Sequence, residues 1–577
     1  MNTLKSSRKI AIIFLVIVAM VSVACSSSSS DNKKAKVIDL PQTIAASEVP
    51  QGGELTIGAE QEPDCLDFID ICSGSSWGFW TVAVNTLPRA YQVERVYDGK
   101  KPTDGWEYKK TVLLAKDVEL ETDPVQKMTY TIHEDAVWSD GEPITGEDFV
   151  YTWDQIANGE NIYDQTGWKD IKSVVVDKDD DKVVVVTMKT KYADWKALFG
   201  GNYGVLPSHL LKGKDRNAIM KDGYAFSGGP FMVEAWNKEQ SIVLVPNDKY
   251  WGDKAHLDKV TFQFITDTTA EFAAFQDGEV SAIYPQPQID VIEAINSGGL
   301  DDSNKIVNAV TGNIEALWLN NDRAPFDSKA VRQALGYSLD RDSIVKALFG
   351  GIGVTKSLDS FVSALLPNFA DSKSFSRYKL DTKKADKLLT GDGWKKNKDG
   401  VYEKKGKLLE FEIVTTEGNR RRQLTMEVIQ KQLQDLGWKV TLSPVDAGDL
   451  FGDLGPSGNF QAAIYAQVLT SLSPNDCVLF CSDNIPTEEN DLSGNNWTRT
   501  KISEVDKLSK AADAELDEDK RQELVKKAGA LLADDATSIP IDPLPNIFLW
   551  NKKVLGPLDE NPVQGPFWNL ADWGVEK

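Results

Sequence analysis

The chain has 577 residues, enough for a large core and for two or three domains. Its formal net charge of −23 excludes nucleic-acid binding as a primary role, because a phosphate backbone needs a basic face. Its three histidines (His133, His209, His256) are dispersed, and no phosphate-loop, G-x-S-x-G or H-E-x-x-H pattern occurs, so no metal site and no cofactor is expected.

In chain order, the N-terminus reads "KSSRKI" and then an apolar run from Ile10 to about Val23, with small residues up to Ala24. A basic start followed by an apolar stretch too short for a comfortable membrane span is the layout of an export signal. With Cys25 immediately after Ala24, it resembles a bacterial lipoprotein signal, in which the new N-terminal cysteine carries lipid. The alternatives are an ordinary signal peptide or a short membrane anchor. Residues 1–24 are then the leader, and the serines with "DNKKAK" make 25–50 a flexible tether. Export permits disulfides. Cys65, Cys72, Cys477 and Cys481 allow three pairings, of which the local ones, Cys65–Cys72 and Cys477–Cys481, each close a short loop.

Leu55 and Ile57 alternate with polar neighbours as a short strand should. Met128, Tyr130 and Ile132 alternate likewise, and Thr145 with Asp148 resembles a capping box ahead of a helix carrying Phe149, Val150 and Trp153. Two strands with a charged turn follow in "SGGPFMVEAWNKEQSIVLVP", then a strand with Val260, Phe262 and Phe264 on one face and a short helix stopped near Gly278. "PFDSKAVRQALGYSLDRDSIVKALFGG" reads as two helices, the first capped near Asp327 or Ser328, the second near Asp340. The helix from Arg420 presents Leu424, Val428, Leu433 and Leu436 as its apolar face, stops at Gly437, and gives way to a strand with Trp438, Val440 and Leu442. A charged helical stretch from Ser503 leads to extended chain in "SIPIDPLPNIFLW". Strands alternating with helices in two separated stretches predict an α/β protein of two lobes.

Four of these segments occur in a telling order: "VWSDGEPITGEDFVYTW", "GGPFMVEAWNKEQSIVLVPNDKYWGDKAHLDKVTFQFI", "AAFQDGEVSAIY" and "WLNNDRAPFDSKAVRQALGYSLDRDSIV". Together they resemble the solute-binding proteins of oligopeptide and dipeptide ABC importers, from about Gly53 to the C-terminus. The resemblance implies a periplasmic-binding-protein-like fold of the cluster C type, with a ligand cleft between lobes. Lobe I would comprise 51–89, 205–311 and 536–577, an inserted subdomain 90–204, and lobe II 312–535, with hinges near 308–321 and 534–543. It further implies a monomeric receptor without enzymatic activity, held to the outer face of the cell membrane by lipid on Cys25. Such a receptor takes up oligopeptides or dipeptides and hands them to a membrane permease. An oligosaccharide receptor of the same family is the alternative. A secreted carboxylate-based hydrolase is a reading of another class, for which no motif fixes a carboxylate pair.

The chain has 16 tryptophans. Trp77 and Trp80 stand among glycines and serines in "GSSWGFW", and the resemblance places Trp318 and Trp497 near the cleft. All four are read as candidate ligand contacts, each with core packing as the competing role; Trp138 and Trp251 are read as structural. The resemblance also implies an aspartate for a ligand's α-amino group on the loop "YAQVLTSLSPNDCVLFCSDN". The position that should hold it is Thr470, which carries no charge. Either Asp476 or Asp483 supplies the charge from a shifted loop, or the ligand is not gripped by a free N-terminus.

Overall fold

The computed structural model describes residues 44–577 apart from 99–100, 301–302, 309–310, 372 and 475. Cys25 and the leader lie outside the described residues.

Two large sheets organise the chain. The first has seven strands, in the order Ser303–Asn308, Asn546–Asn551, Ala282–Ile283, Glu54–Ala59, Lys259–Phe264, Ser241–Pro246 and Phe231–Asn237. Its central pair, Glu54–Ala59 and Lys259–Phe264, runs parallel. The second has five strands, in the order Lys439–Val445, Glu410–Thr416, Ala462–Gln467, Ile314–Leu319 and Ile539–Asp542. Side chains alternate across a strand, and Asn546–Asn551 uses both faces. Ile547 and Leu549 enter the core that holds Leu317 and Ile464, whereas Phe548 and Trp550 enter the core that holds Leu55 and Ile57. That strand is apolar from Ile547 to Trp550 because it is buried on two sides.

The chain passes between the sheets twice, from Asn308 to Ile314 and from Asp542 back to Asn546. The two crossings are tied together. The Thr311 hydroxyl lies 2.8 and 2.9 Å from the Pro543 and Leu544 carbonyls, and the Asn313 amide donates to Asn546 Oδ1 at 3.0 Å.

A four-stranded sheet (Glu119–Glu121, Lys127–Thr131, Val183–Met188, Ile171–Val176) carries the Gly146–Asn158 helix. Thr145 and Asp148 form the capping box that the sequence signals. Asp148 also reaches further than a cap needs: its Oδ1 accepts from the Ser208 backbone and hydroxyl, both at 2.7 Å, fastening the helix start to the start of the short Ser208–Leu211 helix. Asp340 caps the Arg341–Phe349 helix through Ser343 N at 3.1 Å.

The helix Arg420–Gln434 departs from the apolar face read from sequence. Its buried residues are Arg421, Arg422, Thr425, Met426, Ile429 and Leu433, while Leu424 and Val428 are only half-buried. The rotation has a cause in charge. Glu315 on the second sheet is fully buried, and both arginines turn inward to meet it, Arg421 Nη2 at 2.9 Å and Arg422 Nε at 3.0 Å. The charged stretch from Ser503 is two helices, Ser503–Ala514 and Glu518–Asp535, the second capped by Asp517. Among the described residues, no helix is long and apolar enough to cross a membrane.

Candidate functional site

Loops leaving the two sheets face each other. The loop after Glu54–Ala59 and those after Glu410–Thr416 and Lys439–Val445 line an open cleft of about 920 Å³. Gly418 makes the approach possible: its φ is +75°, and a Cβ there would stand 2.5 Å from the Thr266 carbonyl oxygen. The cleft is strongly acidic, with Glu60, Glu62, Asp64, Asp267, Glu417 and Asp446 in its wall and Lys238 as a cation. Glu62 is engaged by the protein itself, accepting from Trp236 Nε1 at 2.7 Å and Glu239 N at 2.9 Å. Burial, reinforced by Asp446 and Glu62, pushes Asp64 up to about 6.

Beyond this cleft the Cys65–Phe79 segment folds over. Cys65 and Cys72 are bonded, Asp70 Oδ1 accepts from Cys72 N at 3.1 Å, and Arg216 pairs with buried Asp67 at 2.7 Å. Under the segment lies a narrower cavity of about 80 Å³. Three parts of the chain wall it: this segment, the inserted region through Tyr163, Asp164, Asn202 and Tyr203, and the second-lobe loop through Gln467 and Thr470. A smaller chamber of about 30 Å³ shares Asp164, Tyr203 and Thr470 with it and adds Asp194 and Asp513. Both volumes exceed what one water needs, so polar walls here can be met by solvent or ligand. Residues 108 and 162–163 are fastened to residues 472 and 493–495 at this seam. Asn495 Nδ2 donates to Tyr163 OH at 3.0 Å, Ile162 N to Ser493 Oγ at 3.1 Å, and Leu472 N to Tyr108 OH at 3.2 Å.

The electrostatics of the chamber are one-sided. Asp164 accepts from Thr166 N at 2.9 Å and Tyr203 OH at 3.3 Å, and burial raises its affinity for a proton. Burial likewise lifts Asp194 to about 6, against hydrogen bonding from Ser471 and the charge of Arg521. Asp513 is lifted to about 7 by burial, opposed by Arg521 and assisted by Asp476 and Asp194. Neither the cavity nor the chamber has a lysine, arginine or histidine in its wall.

Of the residues singled out from sequence, Thr470 lines both spaces. Asp476 is buried beside the chamber rather than in its wall; burial lifts it to about 7 against Arg521, and its Oδ2 has no partner. Asp483 is exposed and paired with Lys510 at 2.7 Å. The tryptophans are consumed by packing and line none of these spaces. Trp77 packs on Trp80 and Phe567, Trp80 on Tyr284. Trp318 is stacked between Phe361 and Tyr465, and Trp497 packs on Tyr465 and Phe451. Cys477 and Cys481 are bonded, and Cys477 lies in the chamber wall. Asp164, Asn202 and Tyr203 were invisible to sequence reasoning, because they sit in the inserted region, far in sequence from the loop searched for an anchor.

Two sheets joined by two crossings, with loops closing over a lined cavity, define a bilobal solute-binding protein. The chain belongs to the bacterial extracellular solute-binding proteins, family 5, whose profile matches residues 111–482. It is 27% identical over 520 residues to the oligopeptide-binding protein AppA of Bacillus subtilis, covering 88% of each chain. Among solved structures, the periplasmic EDTA-binding protein EppA superposes with a TM-score of 0.77 at 26% identity, over 95% of this chain and all of that one. The nonapeptide complex of Bacillus subtilis AppA superposes with a TM-score of 0.79 at 23% identity, over 92% of this chain and all of that one. The two-lobed α/β fold implied by the sequence is therefore borne out, and the family is one of transport receptors, not enzymes.

Proposed function

We propose that the chain is a receptor that captures short peptides between its lobes and delivers them to the permease of an ABC importer. The observation that supports it most is the cavity walled by both lobes and the inserted region, in a chain whose relative AppA is an oligopeptide-binding protein. Lobe boundaries of 51–89, 205–311 and 536–577 against 312–535, with 90–204 inserted, go with this reading, as do a monomeric state and lipid on Cys25. Thr470 is its contact on the second-lobe loop. Ligand drives closure only to the extent that it binds the closed form better than the open one.

Native mass spectrometry of the full chain, purified gently in detergent, tests the ligand class. Added masses that fit short peptides are expected. Hexose or pentose increments overturn the peptide assignment in favour of an oligosaccharide, and release of a processed product overturns the receptor itself. For the anchor, Cys25→Ser should move the protein from the membrane fraction to the medium; unchanged partition removes lipid from the account.

A further inference from the structure

The walls of this cavity and chamber carry more hydrogen-bond acceptors than the described residues supply donors for. Asp164 faces both spaces and receives three donors, the Thr166 backbone N–H and hydroxyl and Tyr203 OH, whereas an ionised carboxylate has about four acceptor positions. Asn202, in the wall of the larger cavity, has a buried Oδ1 with no donor at all. Behind Asp164, the chamber adds Asp194, which is 8% exposed, and Asp513. Asp513 has no hydrogen bond to its carboxylate among the described residues. Asp476, 6% exposed and with an unpartnered oxygen, is flanked by Pro474 and Cys477 of the chamber wall.

The cations near this group are few. Arg521 is the countercharge felt by Asp194, Asp476 and Asp513, and its own hydrogen bond goes to Ser473 Oγ. Asp170 adds a further negative charge near Asp513, and Lys510 is spoken for by Asp483. A buried carboxylate without a cation is costly, and natural proteins keep one only where something answers it. Anionic ligands are repelled from such a site. Donor-only cations are what it lacks.

We infer that Asp164, carried by the inserted region, receives a cationic nitrogen group of the ligand, with Asn202 Oδ1 as a second acceptor and the Asp194–Asp513 chamber as the surrounding negative field. This rests on the peptide reading for the ligand's backbone, but not for its charge. It places the charge-reading residue on a different part of the chain from the uncharged Thr470 loop, with Thr470 contributing a wall rather than a counterion. The nitrogen is an ammonium or guanidinium, from the ligand's N-terminus or from a basic side chain. A charge-assisted bond of this kind is worth a factor of roughly 10 to 100 in affinity.

Calorimetric titration of the full chain in detergent tests it with five probes: trialanine, N-acetyl-trialanine, N-acetyl-Lys-Ala-Ala, agmatine and cadaverine. If the N-terminus is the source, trialanine binds roughly 10- to 100-fold more tightly than its acetylated form. Binding of N-acetyl-Lys-Ala-Ala without N-acetyl-trialanine makes a basic side chain the source. In either case Asp164→Asn removes the preference for the charged probe, and Asn202→Ala weakens the charged probe alone. Binding of agmatine or cadaverine by wild type but not by Asp164→Asn, with no peptide bound, keeps the charge assignment and ends the peptide reading. The assignment is overturned if trialanine, N-acetyl-trialanine and N-acetyl-Lys-Ala-Ala all bind alike, if Asp164→Asn weakens charged and uncharged probes equally, or if no cationic probe binds. The first comparison needs no variant, so a misfolded Asp164→Asn chain does not protect the proposal.

Discussion

Two groups of buried charge in this molecule are answered in opposite ways. At the second sheet, Glu315 meets two arginines from one helix. Burial pushes its carboxyl up, but Arg421 and Arg422 outweigh it and hold the group at about 2. Beside the interlobe chamber, burial wins. Asp476 and Asp513 are lifted to about 7 with Arg521 as their countercharge. The first set is complete within the chain and acts as a strut: it turns the Arg420–Gln434 helix and fixes which face it buries. The second set leaves negative charge over, and it does so against a space. A carboxylate answered by its own fold is architecture, while one left unanswered in a cavity wall is an opening for charge from outside.

The largest effect should come from breaking the strut. Glu315→Gln removes the carboxylate that both buried arginines contact, leaving Glu60 and Asp542 as their remaining countercharges, and denaturant unfolding should show a loss of about 3–5 kcal/mol. Asp513→Asn, at the other set, should cost nothing at pH 8 and can raise the midpoint, since it removes a carboxylate that burial already disfavours in its ionised form. Equal losses from the two variants would erase the distinction.

Next comes pH. Glu60, Asp476, Asp513 and Asp542 are each raised to about 7, and Asp64, Asp70 and Asp194 to about 6, from ordinary values of 3.8 to 4.5. The folded chain therefore holds protons in this window that the unfolded chain has released. That contribution is complete below the unfolded values and is lost as pH rises through about 7. Glu315 and Asp342, held at about 2, act in the opposite sense only below the ordinary carboxylate range. The melting temperature should be higher at pH 5.5 than at pH 8. A fall on acidification to 5.5 would show that the raised carboxylates do not govern the balance.

The smallest effect belongs to an exposed pair. Lys431 and Asp435, one helical turn apart and both well exposed, contact each other on the surface of the same helix. Lys431→Ala should change stability by about 0.5 kcal/mol or less. A loss comparable with that of Glu315→Gln would mean that exposure is a poor guide to charge energetics here.

How much of this was legible in the sequence follows from which signals are local. The capping box at Thr145 and Asp148, the alternation of Met128, Tyr130 and Ile132, and the order of the four family segments all concern residues near one another, and they led to the right elements and fold class. The Arg420–Gln434 helix was misread by one position, because a charged residue is taken as exposed until its partner is known. Glu315 lies about a hundred residues upstream, so no window over the helix contains it. The site fared similarly. Thr470 was reached by counting along one loop, but Asp164 and Asn202 arrive from the inserted region through tertiary packing. A large aromatic ring among glycines and serines looks available in sequence, whereas the fold packs Trp77 and Trp80 against Phe567 and Tyr284.

The return crossing sets a schedule for synthesis. Every strand of the five-stranded sheet lies between Ile314 and Asp542, whereas the seven-stranded sheet takes its second strand from Asn546–Asn551. That late strand is the one partner of Ser303–Asn308 and a partner of Ala282–Ile283. Both sheets wait on the C-terminal stretch: a chain emerging from its N-terminus closes the five-stranded sheet with Ile539–Asp542 and the sheet begun at Glu54 with Asn546–Asn551 directly after it. The lobe that is started first is finished last.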